Sequence, residues 1–470
     1  MTVVSTPDAA DARRHSRSRR RRVLAPLALA QFICSFAGSN MTVMIKDIST
    51  DLDTTVQGVQ IAITAFLLVM AALMIPGGIL TERYGRKRCL IVGLTVYGIG
   101  ALLSAAAPGL GVLILGNSIL EGAGTALLIP PVYILTTLLF TEVTERARAF
   151  GTIMAMAGVG AAAGPLLGGL ITTALSWRAA FLFQALVVAV IVLLSRRLDD
   201  PLPPDPHRPF DTGGAVLSAG GLVLVVLGIL AADDNLWLSV GLLLAGVLVL
   251  VGFFRWVRAR ERAGVDALLP TALFRNRTSD LGLITQHVQW LLLMGLSFVV
   301  ATYLQVVRGY SAIATGVIFT ASTVGLLVSS LGAERFAKRR AQRTLIMAGF
   351  AVTICGIGVL IALAHGAPKA WSFTPGLLLI GLGLGLMLTP SVNVVQSSFS
   401  EDMQGEISGL SRCVSNLGSS LGTAIAGTIL VADPAVGPYA VALVVLAVIG
   451  LGGLGAAAKL PRTPAPTRHG

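Results

Sequence analysis

Glu121 sits ten residues past Gly111 in an apolar stretch at 111–139. At a rise of 1.5 Å per residue that depth is about 15 Å, the middle of a hydrocarbon core about 30 Å thick. A carboxylate there is costly and persists only in a cavity or beside a partner. Two kinds of chemistry suit it: carrying a proton from one side to the other, or pairing with a cationic ligand. Both roles competing for one site would constitute exchange. The alternative is a structural glutamate hydrogen-bonded to Ser118 or to the first helix.

Arg412 is the one cation embedded in an apolar stretch (405–431), either a counter-charge or a side chain snorkelling to the surface. His287 lies among Gln286, Gln289 and Trp290. It is a candidate for contact with a proton or substrate, with a satisfied packing histidine as the alternative. Gln31, Asn40, Asn393 and Gln396 are weaker cavity candidates, and Phe66, Tyr133, Trp290 and Tyr303 are the aromatics suited to a large apolar ligand. Cys34, Cys89, Cys355 and Cys413 have no metal-ligand spacing, so neither a metal nor a disulfide is expected.

The elements that must hold these residues follow from composition. Of 470 residues 54% are hydrophobic and 12% charged, about half the usual charge of a soluble domain. Apolar stretches of spanning length fall at 23–45, 57–80, 89–107, 111–139, 149–175, 180–195, 213–232, 236–254, 280–304, 312–333, 344–364, 374–398, 405–431 and 438–458. The fold class expected is therefore all-α, a polytopic membrane protein with fourteen helices. The Arg-rich start and Ala28-Leu29-Ala30 have the look of a cleavable signal, but the apolar run continues, and the segment reads as an uncleaved first helix.

Charge tests that count. If both termini are cytoplasmic, 30 of the 35 basic residues fall on the cytoplasmic side and four (Lys46, Arg178, Arg308, Lys369) on the other. That is a positive-inside pattern, which one missed helix would scramble. The net charge of +12 is thus topology rather than a nucleic-acid footprint. Between helices 2 and 3 the chain reads Glu82-Arg-Tyr-Gly-Arg-Lys-Arg88, and between helices 10 and 11 Glu334-Arg-Phe-Ala-Lys-Arg-Arg340. Two independent basic anchors would explain the basic residues but not the shared Glu-Arg-aromatic lead-in. Duplicated six-helix halves with an inserted pair would explain both, and duplicated halves are a recurrent transporter architecture. The expected divisions are a basic tail (1–22), an N-terminal half (23–195), a linker with inserted helices 7 and 8 (196–279), a C-terminal half (280–458) and a tail (459–470).

Gly78-Ile-Leu-Thr-Glu82-Arg83-Tyr-Gly85-Arg86-Lys87-Arg88 resembles the loop 2–3 signature of the major facilitator superfamily, with Glu82 in place of the usual aspartate. Gly160-Ala-Ala-Ala-Gly164-Pro165-Leu-Leu-Gly168-Gly169 is similar to the glycine-proline motif of its antiporter branch, and Trp177-Arg178 with Phe181 to the loop that follows. Phe210-Asp211-x-Gly213, Leu268-Leu-Pro270-x-x-Leu273-Phe-Arg-Asn-Arg277, Tyr303-Leu-Gln305, Gly418 and Gly422 look like the fourteen-helix drug:proton antiporter subfamily. The chain departs from that pattern at two places. Ala37 stands where the family often has an aspartate, and Ser118-Ile-Leu-Glu121-Gly122-x-Gly124 replaces a motif that begins with arginine and reaches Gln-Gly.

The resemblance implies a proton-coupled exporter of amphipathic organic compounds or antibiotics in a bacterial inner membrane. Glu121 and His287 would carry the proton, and Gln31, Asn40, Phe66, Ser118, Tyr133, Gln289, Trp290, Asn393, Gln396 and Arg412 would line the cavity. Gly78, Glu82, Arg83, Gly85, Arg86, Lys87, Glu334 and Arg335 would clamp helix ends in one conformation and release them in the other. Gly160, Gly164, Pro165, Gly168 and Gly169 would form a hinge or a tight seal. An exporter of an endogenous lipid or secondary metabolite with weak or no proton coupling is a second reading, and a non-transporting sensor or scaffold a third. There is no Gly-x-x-x-x-Gly-Lys-Ser/Thr loop, so an ATP-driven pump is excluded within this chain. The expected partners are the bilayer, protons and a small molecule, with no cofactor, no nucleic acid, no enzymatic activity and a monomeric state.

Overall fold

The computed structural model describes residues 8–140, 142–206, 209–231, 235–337, 341–364, 370–400, 403–431 and 436–461. Among them fourteen helices are long and apolar enough to cross a membrane. The first six are α1 (Val23–Val43), α2 (Val56–Tyr84), α3 (Arg86–Ala105), α4 (Leu110–Leu139), α5 (Arg148–Ala174) and α6 (Trp177–Ser195). Two more follow, α7 (Thr212–Leu230) and α8 (Leu236–Arg262). The last six are α9 (Arg277–Val307), α10 (Ala312–Ser330), α11 (Gln342–Leu363), α12 (Trp371–Gln396), α13 (Glu406–Leu430) and α14 (Tyr439–Ala458). Helices satisfy their own backbone groups, which hydrocarbon cannot do for them. The fourteen expected spans are all found.

Their ends differ from the expected ones where charge enters the helix. The backbone is already helical from Asp8, well ahead of the apolar part of α1. The first basic heptad is not a loop: α2 runs to Tyr84, α3 starts at Arg86, and Gly85 alone breaks them at φ +96°. Only glycine adopts that backbone without strain. Side-chain caps start several helices: Thr55 accepts from Gly58 N at 3.1 Å, Asp211 from Gly214 N at 2.8 Å, and Asn276 from Thr278 N at 3.0 Å.

The packing repeats itself. In the first six helices α1 packs on α4, α5 and α6, α3 on α4 and α6, α2 on α4, and α5 on α6. Each of these pairs recurs eight helices later, as α9 on α12, α13 and α14, α11 on α12 and α14, α10 on α12, and α13 on α14. Between the two sets, α2 meets α13 and α5 meets α10, which are the same pair exchanged. Helices α7 and α8 pack on one another, and α7 lies against α2 and α13. The second hydrophobic cluster ties this pair in, with Phe253 and Val257 of α8 packed against Leu268, Leu269 and Leu273 of the following connection and Ile407 and Leu410 of α13.

Asp211 organises that corner. Besides capping α7, it accepts from Trp256 Nε1 at 3.0 Å and Leu268 N at 3.1 Å, and Arg260 lies 3.7 Å away. A side chain at Gly213 would collide with the Trp256 ring. The 210–213 and 268–277 segments, far apart in sequence, are thus one structural unit.

Candidate functional site

Glu121 is fully buried at the end of a π-helical segment, Ile114–Glu121, inside α4. Such widened turns are rare and often occur at functional sites. The carboxylate points into α3. Its Oε1 lies 3.4 Å from the Ser104 hydroxyl, its Cγ crowds Gly100, and Oε2 is buried with no hydrogen-bond partner. Tyr97 stands alongside and donates to Gln184 of α6. Neither sequence-expected partner is used, since the Ser118 hydroxyl donates instead to the Ala62 carbonyl of α2 at 2.8 Å. Thr125, one turn on, donates to the Glu121 carbonyl at 2.7 Å.

A second polar group crosses between the two six-helix sets. Arg412 of α13 donates to the Tyr133 hydroxyl of α4 and lies over its ring, 5.2 Å from the centroid. Tyr133 donates to Gln31 Oε1 of α1 at 3.1 Å, and Gln31 Nε2 donates to Ser35 at 3.3 Å. Phe150 of α5 stacks on Tyr133 with centroids 6.0 Å apart. Three of the expected cavity residues, Gln31, Tyr133 and Arg412, therefore meet.

Other candidates are engaged in helix packing. His287 Nδ1 lies 3.1 Å from the Val414 carbonyl of α13. Gln286 bridges Ser415 and Ser411, each at 2.9 Å, and Gln289 donates to the Leu384 carbonyl of α12 at 3.3 Å. Trp290 and Asn393 are half-buried, Phe66 is in the core, and Gln396 reaches Ser408 at 3.5 Å. Tyr303 packs with Phe373 and Tyr439 in an aromatic group at the far end of α9. Asn40 is buried against α5, its Oδ1 without a partner.

The glycine-proline segment of α5 explains that packing. A side chain at Gly160 would strike the Phe32 carbonyl, one at Gly164 would strike Ser39, and one at Gly168 would strike Asn40. One residue further round the helix, Gly169 abuts the Ala312 carbonyl of α10, and Gly316 of α10 abuts the Pro165 carbonyl. The motif seats α5 on α1 within one set and on α10 across to the other. At the same end of the molecule Gln60 donates to the Ala424 carbonyl at 3.1 Å and Ser420 to the Thr64 carbonyl at 3.0 Å. Gln305 donates to Thr42 O at 2.8 Å and accepts from Lys46 N at 3.1 Å.

The sequence profile described as Major Facilitator Superfamily matches residues 27–215 and 212–423. The chain belongs to the Major Facilitator Superfamily. Its fourteen spans and its relatives place it with the superfamily's fourteen-helix drug-efflux type, and it is a multi-pass membrane transporter. A puromycin resistance protein of Streptomyces alboniger is 33% identical over 416 residues, 86% of this chain and 81% of that protein. A probable actinorhodin transporter of Streptomyces coelicolor is 29% identical over 424 residues, covering 88% and 72%. A peptide transporter crystallised with sulfate shares the fold at a TM-score of 0.70 and 16% identity, over 93% of this chain and 95% of that one.

Within this superfamily chain, the first heptad holds a segment that the sequence reading overlooked. Asp200, after α6, accepts from the Arg86 N–H at 2.7 Å and the Lys87 N–H at 3.2 Å, capping α3. Arg86 donates to the Pro203 carbonyl at 3.2 Å, Lys87 Nζ to the Arg196 carbonyl at 2.9 Å, and Asp205 N to the Glu82 carbonyl at 3.2 Å. The Arg83 guanidinium lies over Tyr84, and Gly78 faces open space. Of the second heptad, the backbone of Glu334 and Arg335 is helical, while their side chains and residues 338–340 lie outside the described residues. Ser104, Tyr97, Gln184, Asp200 and Gln60 were also missed. As ordinary polar residues in apolar or loop sequence they carry no motif, and their positions facing Glu121, α3 or α13 were the missing signal.

Proposed function

We propose that this transporter exports amphipathic organic compounds by proton antiport through alternating access, with both termini cytoplasmic. The single observation that carries the reading is Glu121, an acidic side chain fully buried deep inside its span. A protonated carboxyl group is neutral and far cheaper to bury, and a carboxylate that has released its proton is left with the Ser104 and Tyr97 hydroxyls beside it. Its direction, toward α3 and away from Arg412 and Tyr133, favours proton carriage over pairing with a cationic substrate. The repeated helix contacts support two bodies that rock about the α2/α13 and α5/α10 seams. Relatives named for puromycin resistance, actinorhodin transport and cephamycin export support an antibiotic-like substrate.

The test is uptake into inverted vesicles under an imposed pH gradient, over a panel of amphipathic compounds. Wild-type protein gives gradient-dependent accumulation, and Glu121→Gln leaves binding but removes the response to the gradient. Gradient-dependent uptake that survives Glu121→Gln unchanged would sink the assignment of the proton to Glu121.

A further inference from the structure

The space between the two six-helix sets, on the side of the membrane where α1 begins, carries a positive charge that nothing described neutralises. Arg412 is half-buried, and its described partner is the neutral Tyr133, reached through Nη2 and the ring face. Among the described residues it has no carboxylate partner, and the mid-membrane acid, Glu121, is turned into α3. A guanidinium carries five N–H donors in a planar fork and no acceptor, so most of its donors remain for something else.

One turn along α13, Asn416 Nδ2 is buried with no hydrogen-bond partner among the described residues. Residues four apart share a helix face, so this orphan donor lies on the face of α13 that carries Arg412. A methyl group added at Gly409, on the same face, would meet nothing within 4 Å, and the same holds at Gly38 of α1, two turns along the face of Gln31. The α13 face that carries these two donors thus has open space at Gly409, and the Tyr133 ring stands against the guanidinium.

We propose that this space seats the anionic end of a soluble amphipathic organic acid, a sulfonate or carboxylate held in a fork by Arg412 and completed by Asn416 Nδ2, its apolar body against Tyr133. The anion displaces the Tyr133 hydroxyl from the guanidinium, which loosens the one link described here between α13 and α4. The inference rests on the export reading for its purpose and narrows its substrates to acids.

Binding separates it from transport. The full chain in phosphatidylcholine nanodiscs is titrated with 1-anilinonaphthalene-8-sulfonate and with N-phenyl-1-naphthylamine, the same aromatic body without the sulfonate, and empty discs are subtracted. The sulfonate binds more tightly than the neutral dye. Arg412→Gln weakens the sulfonate about 10- to 100-fold and leaves the neutral dye unchanged. Arg412→Lys, which keeps the charge and loses the fork, recovers part of the affinity and guards against a folding defect. Equal affinity for the two dyes, parallel loss of both in Arg412→Gln, or displacement by phosphatidylglycerol but not by soluble sulfonates would each overturn the proposal, the last by giving the seat to a lipid headgroup. Anion-selective binding with no gradient-driven flux of any compound would sink the export reading and leave the site standing. Flux of neutral or cationic compounds untouched by Arg412→Gln would do the reverse.

Discussion

The two charged side chains that the membrane least tolerates solve the problem differently. Glu121 is hidden between two helices of one set, with the Ser104 and Tyr97 hydroxyls beside it. Arg412 stretches across the gap between sets to an aromatic hydroxyl. Outside the membrane a third pairing governs one corner. Asp51, in the short helix after α1, accepts from Arg178 and, at 3.0 Å, from Trp177 Nε1, while Arg178 also reaches the Ala107 carbonyl at 3.0 Å. The Arg178 hydrogen bond holds the Asp51 carboxyl below its ordinary range. A depressed carboxyl contributes stability above its unfolded pKa, about 3.9, and loses it as pH falls through the folded value. Because the pair is exposed the contribution is small. Thermal unfolding of wild type and Asp51→Asn should therefore differ modestly at neutral pH and converge below about pH 4. A gap that stays constant across that range would show that Asp51 acts through packing instead. Glu121 and Arg412 were both legible in the sequence as buried charges, because hydropathy alone exposes them. Their partners were not, because a serine or tyrosine carries no such contrast.

At the level of elements, one carboxylate gathers the corner where the extra pair α7–α8 meets the connection that follows it. Asp211 gathers the α7 N-terminus, Trp256 of α8 and the backbone of Leu268. Asp211→Ala removes a cap and strands the buried Leu268 N–H, a cost of about 2–4 kcal/mol. The expected outcome is a Tm several degrees lower for the purified protein, with Asp211→Asn recovering part of the loss. An unchanged Tm would mean that water replaces the carboxylate and that the corner is not held as described. The 210–213 and 268–277 motifs were readable as separate strings, but their union depends on a turn of α8 that brings Trp256 over Gly213. The first heptad taught a similar lesson. Its charges suggested a loop, yet helix propensity carries α2 and α3 through them to either side of Gly85.

For the whole molecule, hydrogen bonds between the sets gather at the face opposite the N-terminus, through Gln60, Ser420, Gln305 and Thr173, whose hydroxyl accepts from Ile313 N at 3.2 Å. The alternating access proposed for this transporter requires that face to part. The Gln60 side chain lies directly on Gly427, so Gln60→Cys with Gly427→Cys brings two Cβ atoms within disulfide reach in a background free of native cysteines. Oxidation should abolish vesicle uptake and reductant restore it. Uptake undiminished in the crosslinked protein would show that the α2/α13 seam stays closed throughout transport.

Hydropathy and the placement of arginines determined the number of spans from sequence alone, and two short motifs pointed to the family, because an apolar run of spanning length has few other fates and the motifs are local. The direction each side chain takes around its helix was decided only by tertiary structure. In a soluble helix the polar face announces the outside, but here lipid and protein interior are equally apolar, so amphipathicity says little about azimuth. Whether Glu121 would face α3 or the gap, and whether Arg412 would snorkel or cross to Tyr133, depended on which helices stand beside them. That arrangement is set by glycine-scale contacts such as Gly160 on Phe32 and Gly316 on Pro165, which exist only once the bundle has assembled.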